Sequence, residues 1–515
     1  MNNTSVVLID DPRRRRAVLL AVCVALMAVI ASVTGLNVAQ PQIALAFGAS
    51  QSAVLWMINA YTITLAALLL PLGAVGDRWG RRPVLLIGLV LFGVANAMAA
   101  LATSTEVMVA ARLLSGVGAA MIMPVTLAVI TSTFPDAERS RAIGVWTAVA
   151  GGGGVLGMYL SALLVDVATW RWLFALPIAL VVVAVAMTLR AVPDSRETSA
   201  HRFDLVGSLT SVVAVVGLIV VLHEGPERGW TAPETLISLA LGLAGLAAFA
   251  GWERRHPAPL LDVRLFRERG LSSGSMTLLA VFGVQAGIFV VLYPYFQVLL
   301  GWSGLLSTLA LMPSALSMMA ASGLAPVVAA RLGARVTMLA GVVVGGAGLA
   351  SMALAVSADR GYPSILFGMI AMGVGMGLAM TPSTEAITTA LPRDRQGVAS
   401  ALNDVTRELG TALGVALLGT VLSAGYRDAI DARLTGLPPE TAETARLGVA
   451  NAVATGAGPA LVRAAEEAFI AGWRQAMWVG VAVMAALFVF VLLRGPRAAT
   501  RTTGAEVERP ADVPA

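Results

Sequence analysis

The chain has 515 residues, of which 57% are hydrophobic and 13% are charged, and its mean hydropathy is +0.82. Soluble domains carry about 25% charged residues, so this composition excludes an ordinary soluble enzyme or binding module and indicates a chain embedded in a lipid bilayer. The net charge of +5 comes from arginines scattered over short segments, which excludes the continuous basic face of a nucleic-acid-binding protein.

Apolar segments long enough to cross about 30 Å of hydrocarbon recur along the whole chain. The first follows Arg13 to Arg16 and is too long for a signal-peptide core, so we expect it to be retained as a span. An even number of spans places both termini on one side. The fourteen predicted spans centre on residues 17–39, 54–74, 83–103, 106–131, 141–165, 172–192, 204–223, 233–252, 271–299, 304–330, 335–356, 363–390, 397–424 and 470–493.

This count predicts an all-α integral membrane protein built from two six-helix bundles with two extra central spans. Charged or Pro-rich segments mark the boundaries between the parts. The predicted parts are a cytoplasmic N-terminus (1–16), an N-terminal bundle (17–192), a linker with the extra spans (193–270), a C-terminal bundle (271–493) with an extracytoplasmic insert (425–469), and a cytoplasmic tail (494–515).

The distribution of positive charge predicts the orientation. With both termini in the cytoplasm, most of the 35 basic residues, all of them arginine, fall on the cytoplasmic side. Outside the long insert region, only Arg171, Arg228 and Arg360 fall in loops on the other side. This asymmetry follows the positive-inside rule, and the inverted topology would fit it badly.

A turn rich in charge separates the second and third predicted spans, within Gly73 to Leu85. An Arg or Asp at the centre of a bilayer costs about 2.5 to 3.5 kcal/mol even on lenient scales, so this turn lies at a membrane surface. Its charged residues are Asp77, Arg78, Arg81 and Arg82. Its glycines, which permit a tight loop and close helix approach, are Gly73, Gly76 and Gly80.

Arg112 stands inside the fourth predicted span. An intramembrane arginine is a functional candidate by default. The alternative is that it snorkels to the outer surface, because Glu106 marks that edge six residues earlier.

The thirteenth span holds the densest set of polar residues: Asn403, Asp404, Arg407 and Glu408. The last three lie three and four residues apart and share one helical face. Arg407 can neutralise one carboxylate and leave the other to exchange a proton, because two close carboxylates cannot both stay ionised cheaply. The alternative is an ion cluster that satisfies itself near the cytoplasmic end of the span.

Further polar and methionine residues in the C-terminal half have two interpretations each. Glu385 either reaches interfacial water or faces the cavity. Met376 belongs to a methionine stripe that is either core packing or a promiscuous apolar binding surface. Gln285 and Tyr293 are either cavity wall or interhelical hydrogen bonds.

Several motifs together resemble one transporter family. The charged turn, the fourth-span segment that follows Arg112, Trp56 and Tyr61 in the second span, and the segment WRWLFALPI at 170–178 are similar to the 14-span drug:proton antiporters of the major facilitator superfamily. The resemblance covers nearly the whole chain.

This resemblance implies alternating access by two rocking bundles, with proton entry driving export of amphipathic compounds. It implies that Arg112 faces the central cavity and takes part in proton coupling. It also implies that Asp77 faces the start of the thirteenth span, where a helix N-terminus favours its charge by about 0.3 to 1 kcal/mol, as part of a gate formed by the charged turn.

The sequence departs from the family pattern at two motifs. In the first span Asn37 is retained, but Ser32 occupies the usual acidic position, which weakens proton coupling or cation recognition there. In the fifth span Gly153 and Gly157 remain, but Met158 stands where the antiporter signature has proline, so the kink of a proline is missing.

We therefore predict a proton-coupled secondary exporter of hydrophobic or amphipathic drugs, in the bacterial cytoplasmic membrane. The expected partners are the lipid bilayer, an amphipathic small molecule and protons, without nucleic acid, and the protein is expected to be a monomer. It is not an enzyme and needs no cofactor or metal, because the proton gradient supplies the energy. The chain contains no lysine and hence no Gly-Lys phosphate loop, which excludes an ATP-driven pump.

The predicted site has two parts. Proton coupling is assigned to Arg112, Asp404, Arg407 and Glu408. The substrate cavity is assigned to Ser32, Asn37, Trp56, Tyr61, Gln285, Tyr293, Met376, Glu385 and Asn403. The alternatives are an uptake symporter or facilitator for a specific small molecule, and a membrane receptor or scaffold that does not transport.

Overall fold

The computed structural model describes residues 9–49, 51–195, 203–357 and 361–496. In these residues the chain forms helices and connecting turns, with no β-strand. Fourteen helical segments are long and apolar enough to span a membrane. The protein is an all-α integral membrane protein, as its sequence predicts.

The helices lie at every predicted span, although those of the first, thirteenth and fourteenth spans extend several residues beyond the predicted limits. They are α1 (Pro12–Phe47), α2 (Gln51–Trp79), α3 (Arg81–Ala100), α4 (Thr105–Thr133), α5 (Asp136–Val167), α6 (Ala175–Ala191), α7 (Leu205–Arg228), α8 (Pro233–Glu253), α9 (Arg269–Pro294), α10 (Gly304–Ala310), α11 (Met312–Leu332), α12 (Ala334–Ala355), α13 (Pro363–Ala390), α14 (Gln396–Asp431), α15 (Pro439–Arg446), α16 (Val449–Ala454) and α17 (Pro459–Arg494). Helices α10 and α11 together form the tenth span.

The spans alternate in direction, so their loops collect on two sides. We call the linker side the one that carries the connections after α6 and α8. The insert side is the opposite one, with residues 432–458 between α14 and α17. Contacts between distant loops hold the linker side together: the backbone N–H of Ile9 donates to the Thr133 carbonyl, and that of Arg81 donates to the Ser195 carbonyl.

Two bundles pack around a central interface. The N-terminal bundle contains α1–α6, and the second contains α9–α14 and α17. Across the interface, α2 and α4 pack on α14, while α5 packs on α11 and α13. The extra helices α7 and α8 pack on each other, and α7 also contacts α2 and α14.

Small residues allow the closest helix contacts. Gly283 and Gly287 of α9 lie directly against the backbone of α14 at Gly410 and Gly414, where a Cβ atom would clash. Lipid tails are as apolar as side chains, so close van der Waals packing of small residues is what joins helices in a bilayer. This seam aligns α14, the helix that carries the densest polar set, along α9.

The turns at 79–81 and 332–334 have the same form. Gly80 lies between α2 and α3 with φ 105°, and Gly333 lies between α11 and α12 with φ 86°. Both angles fall in the region that favours glycine. The two turns occupy equivalent places in the two bundles, as expected for an internal repeat.

Candidate functional site

Arg112 lies deep in α4 and its side chain is 1% exposed, so it does not snorkel to a membrane surface. Its guanidinium carbon lies 4.3 Å from the ring centroid of Tyr61 on α2. One terminal N–H donates to the Ser32 hydroxyl on α1 over 3.2 Å. Its Nε atom has no hydrogen-bond partner. Arg112 is therefore held by a ring face and one hydroxyl.

Ser32 and Asn96 extend this contact into a network. The Ser32 hydroxyl donates to Asn96 Oδ1 over 3.0 Å, and Asn96 Nδ2 donates to the Phe92 carbonyl over 2.7 Å. Ser32 therefore accepts from Arg112 and donates to Asn96, which fixes the direction of its proton. Buried polar groups are tolerated where they are hydrogen-bonded, and this network connects α1, α3 and α4.

The second polar set lies on α14. Asp404 is fully buried, and its Oδ1 accepts from Asn403 over 3.1 Å and from Arg407 over 3.5 Å. The other carboxylate oxygen of Asp404 and the Asn403 side-chain oxygen have no partner. We call Asn403, Asp404, Arg407 and Glu408 the α14 cluster.

Arg407 joins the two bundles. Its guanidinium carbon lies 4.5 Å from the ring centroid of Phe282 on α9 and 5.5 Å from that of Trp146 on α5. Trp146 is fully buried and donates its indole N–H to Thr126 over 3.1 Å. A desolvated cation–π contact contributes about 2 kcal/mol, so Arg407 stabilises the approach of α5 to the second bundle.

Glu408 is partly exposed and lies opposite the first network. It lies within electrostatic range of Asp404 and Arg407 on its own helix and of the Tyr61 position on α2 of the other bundle. With both carboxylates ionised, the α14 cluster carries a net charge of −1, and one bound proton makes it neutral. The cluster therefore changes charge on the helix that packs against α2 and α4, which carry Tyr61 and Arg112.

A buried carboxylate closes the linker side. Asp77 is 2% exposed and accepts from the backbone N–H groups of Gly397 and Val398, over 2.8 and 3.1 Å, at the start of α14. Arg81 donates to the same carboxylate over 2.7 Å and also contacts Ser195 and the Arg393 carbonyl. A carboxylate at a helix N-terminus is favoured by the helix dipole and the unpaired N–H groups.

The backbones of α2 and α14 meet at the same place. A Cβ on Gly73 would collide with the Gly397 carbonyl, and a Cβ on Gly397 with the Gly73 carbonyl and the Asp77 carboxylate. Two more contacts cross the bundles nearby: Arg393 to Asp136 over 2.6 Å, and the Ser140 hydroxyl to Glu385. We call these contacts the linker-side lock.

Two helix bundles that pack across a central interface, with buried charged side chains in their spans, are typical of secondary transporters. Residues 20–415 match the Major Facilitator Superfamily. The chain belongs to this superfamily. It is therefore a membrane transporter and not an enzyme.

Several bacterial proteins align in sequence with this chain over most of their length. The multidrug resistance protein Stp of Mycobacterium tuberculosis is 32% identical over 470 residues, covering 88% of this chain and 87% of Stp. The multidrug efflux pump LfrA of Mycolicibacterium smegmatis is 33% identical, covering 82% and 84%. The puromycin resistance protein pur8 of Streptomyces alboniger is 34% identical, covering 80% and 82%. The resemblance drawn from the motifs is thus confirmed.

Solved structures show the same fold at lower identity. The proton:xylose symporter XylE superposes with a TM-score of 0.61 at 15% identity, over 94% of this chain and 96% of that one. A bacterial homologue of the human lysosomal transporter Spinster superposes with a TM-score of 0.56 at 18% identity, over 94% and 98%.

The remaining predicted site residues of this transporter lie outside the Arg112 network and the α14 cluster. Glu385 belongs to the linker-side lock, and Met376 is 2% exposed in the packed core. Trp56 is 43% exposed on α2. The side chain of Asn37 lies outside the part that the structure describes. Arg78 is exposed on the linker side, and the Arg82 side chain donates to the Leu189 carbonyl over 2.7 Å.

The fifth span contacts the second bundle through its altered motif. Tyr293 on α9 donates to the Met158 sulfur over 3.0 Å and also pairs with Thr308. Gln285 lies 3.9 Å from the Met318 sulfur. Gly153 packs on Met27 of α1, and Gly157 is buried. Met158 therefore provides an interbundle contact at the position where the family signature has proline.

Sequence reasoning missed two of the residues that complete the clusters. Trp146 and Asn96 are side chains with hydrogen-bonding groups inside apolar spans. Trp146 contacts the predicted residue Arg407, and Asn96 contacts the predicted residue Ser32, each on another helix. The only feature of the sequence that could have pointed to these two residues is the presence of a hydrogen-bonding side chain inside an apolar span. Their partners lie 64 or more residues away, so no local pattern in the sequence identifies the contact.

Proposed function

We propose that the protein exports hydrophobic or amphipathic small molecules, including drugs or antibiotics, by proton-coupled alternating access. Relatives that align with this chain over most of their length are named as resistance or efflux proteins, which supports both export as the direction of transport and drugs as the substrate class. One observation carries the proposal. Two sets of buried polar side chains, one around Arg112 and one on α14, lie on helices that pack against each other across the bundle interface.

The geometry supports a role for proton binding in the movement of the bundles. The α14 cluster changes from net −1 to neutral with one proton, and its helix packs on α2 and α4 of the other bundle. The Coulomb energy of such charges is large in a low-dielectric interior. Protonation therefore changes the electrostatic attraction between the two bundles at the interface of α14 with α2 and α4, and we assign the coupling to this interface.

The linker-side lock supplies the gate of the cycle. In this conformation the linker side is closed by Asp77, Arg81 and the start of α14. A reversible lock of hydrogen bonds is suited to alternating access, because the same N–H groups can be hydrated when the bundles separate. The opposite conformation requires α2 and α14 to part at Gly73 and Gly397.

We place the linker side in the cytoplasm, with both termini there, in the bacterial cytoplasmic membrane. Arginines concentrate on the linker side, as the positive-inside rule requires. The described ones lie in or next to its loops: Arg13–Arg16, Arg78, Arg81, Arg82, Arg139, Arg141, Arg190, Arg254, Arg255, Arg264, Arg267, Arg269, Arg331, Arg335, Arg393, Arg395 and Arg494. We further propose that one copy of the chain is the working unit and that the proton gradient replaces any bound cofactor.

Replacing Glu408 with glutamine tests the coupling. Wild-type efflux of the best-transported dye of a fluorescent panel is expected to rise as the external pH falls, because the proton gradient that drives exchange becomes larger. The Glu408→Gln variant is expected to lose this dependence, because glutamine keeps the shape but cannot exchange a proton. The measurement is the initial efflux rate from intact cells over a range of external pH.

Glu440→Gln is the matched control, since Glu440 lies exposed in the insert and is expected to keep the wild-type profile. If the Glu408→Gln protein keeps the wild-type pH profile as well, the proton is carried elsewhere, with Asp404 the next residue to test.

A further inference from the structure

The charge of Arg112 has no acidic partner among the residues that the structure describes. Among the described residues no carboxylate lies within ion-pair distance of its guanidinium, whose contacts are the Ser32 hydroxyl and the Tyr61 ring. Removing an unpaired cation from water is costly, and in membrane spans arginines usually pair with an acidic group or with backbone carbonyls. The structure therefore contains a buried positive site that is not neutralised within its own bundle.

Hydrogen-bond donors at this site are also unused. The Nε of Arg112 and the hydroxyl of Tyr61 are both buried without a hydrogen-bond partner, and the two residues are 1% and 0% exposed. An Nε–H next to a terminal N–H is the fork with which arginine binds two oxygens of one anionic group. Unpaired buried donors are rare enough that each calls for a physical explanation.

The neighbouring acids do not supply the missing oxygens. Asp404 is tied to Arg407 and Asn403 on α14. Glu408 lies on α14 in the opposite bundle and makes no ion pair with Arg112 among the described residues. Ser32, which contacts Arg112 directly, is neutral and already donates its proton to Asn96.

We propose that the transported molecules carry an anionic oxygen group, such as a carboxylate, a sulfonate or a phosphate, that pairs with Arg112 and Tyr61. This inference rests on the proposed export function and specifies its substrate class. The oxygens of the ligand accept from the Arg112 Nε and the Tyr61 hydroxyl, and their charge balances the guanidinium. Both residues are buried in this conformation, on helices that pack against α14 of the second bundle, so the anion enters when the bundles separate.

Two dyes that differ by one anionic group provide the test. They are 1-anilinonaphthalene-8-sulfonate, an anion, and N-phenyl-1-naphthylamine, its neutral parent. Purified wild-type protein in proteoliposomes is expected to transport the sulfonate faster than the neutral dye, by about tenfold or more, the difference expected for one charged hydrogen-bonded contact.

Substitutions at Ser32 provide the matched variants. Ser32→Asp places a carboxylate beside Arg112, neutralises it, and is expected to bring the ratio of the two rates close to one. The asparagine of Ser32→Asn has nearly the same shape as the aspartate of Ser32→Asp but no charge, so this variant is expected to keep the preference for the sulfonate. Yield in the membrane and gel-filtration profile show whether both variants fold.

The outcomes separate this inference from the proposed function. Equal rates for the two dyes in the wild type, or an unchanged preference in Ser32→Asp, would overturn the anion assignment while export itself stands. If neither dye moves, the proposed export of amphipathic compounds is contradicted, and equilibrium dialysis of the sulfonate against protein in lipid nanodiscs decides the inference. If the sulfonate binds more strongly to the wild type and to Ser32→Asn than to Ser32→Asp, the anion assignment is supported. Equal binding of the sulfonate to all three proteins refutes the assignment.

Discussion

Replacing Arg112 with alanine is expected to reduce export by about 30- to 1,000-fold, which corresponds to the loss of about 2 to 4 kcal/mol from the charged interactions that Arg112 makes during the transport cycle. Arg112 is held by Ser32 and Tyr61 between three helices of one bundle. Alanine removes the charge without leaving an unpaired partner charge, so the protein is expected to reach the membrane in normal amount. The measurement is the initial dye efflux rate, divided by the amount of membrane protein on an immunoblot.

Arg171→Ala is the control for this variant. Arg171 also makes a cation–π contact, with Trp170, and a hydrogen bond, to the Ala100 carbonyl, but it is exposed on the insert side. Its loss is expected to leave export unchanged. Normal export by Arg112→Ala would remove Arg112 from the transport machinery and leave its burial without a functional explanation.

Replacing Gly397 with alanine is expected to open the linker-side lock. The added Cβ would meet the Gly73 carbonyl and the Asp77 carboxylate closer than real Cβ atoms approach, and overpacking of this kind costs about 1 to 3 kcal/mol. That cost applies only while α2 and α14 are in contact. The population therefore shifts towards the conformation open at the linker side, by about 5- to 150-fold in the equilibrium constant.

Double electron–electron resonance between spin labels measures this shift. Labels at Ala137→Cys and Thr389→Cys, in a Cys23→Ala background, report the separation of α5 and α13 at the linker side. Gly419→Ala is the control on the same helix, because its Cβ would have only Val290 within 4 Å, and it is expected to keep the wild-type distances. A distance distribution for Gly397→Ala that matches the control would show that this contact does not set the balance between conformations.

The sequence predicts the helices well because the bilayer restricts the choice of structure. Across a hydrocarbon layer, a chain with long apolar segments can satisfy its backbone hydrogen bonds only by forming helices. Hydropathy alone therefore defines the fourteen spans. The glycine turn at Gly80 also depends on local chemistry, namely its positive φ. The position of Asp77 at the start of α14 follows from the family resemblance instead, because that contact joins residues 320 positions apart.

The contacts within the site depend on tertiary packing instead. Arg112 and Arg407 are visible in the sequence as charges inside spans, but nothing local indicates that one rests on Tyr61 and the other on Trp146 and Phe282. The same limit applies to Glu385, whose partner Ser140 lies on another helix of the other bundle. These contacts follow from how the bundles meet, which the spacing of residues along one helix does not encode.

Transport by the purified protein tests the central claim most directly. The protein is reconstituted in proteoliposomes, and the uptake or release of a panel of anionic, neutral and cationic lipophilic dyes is followed with an imposed pH gradient, with the gradient reversed, and with a protonophore. The proposed function predicts dye movement opposite to the proton flow, reversed with the gradient and abolished by the protonophore. Dye movement in the same direction as the protons, or movement that ignores the gradient, would contradict proton-coupled export and indicate an uptake symporter or a facilitator.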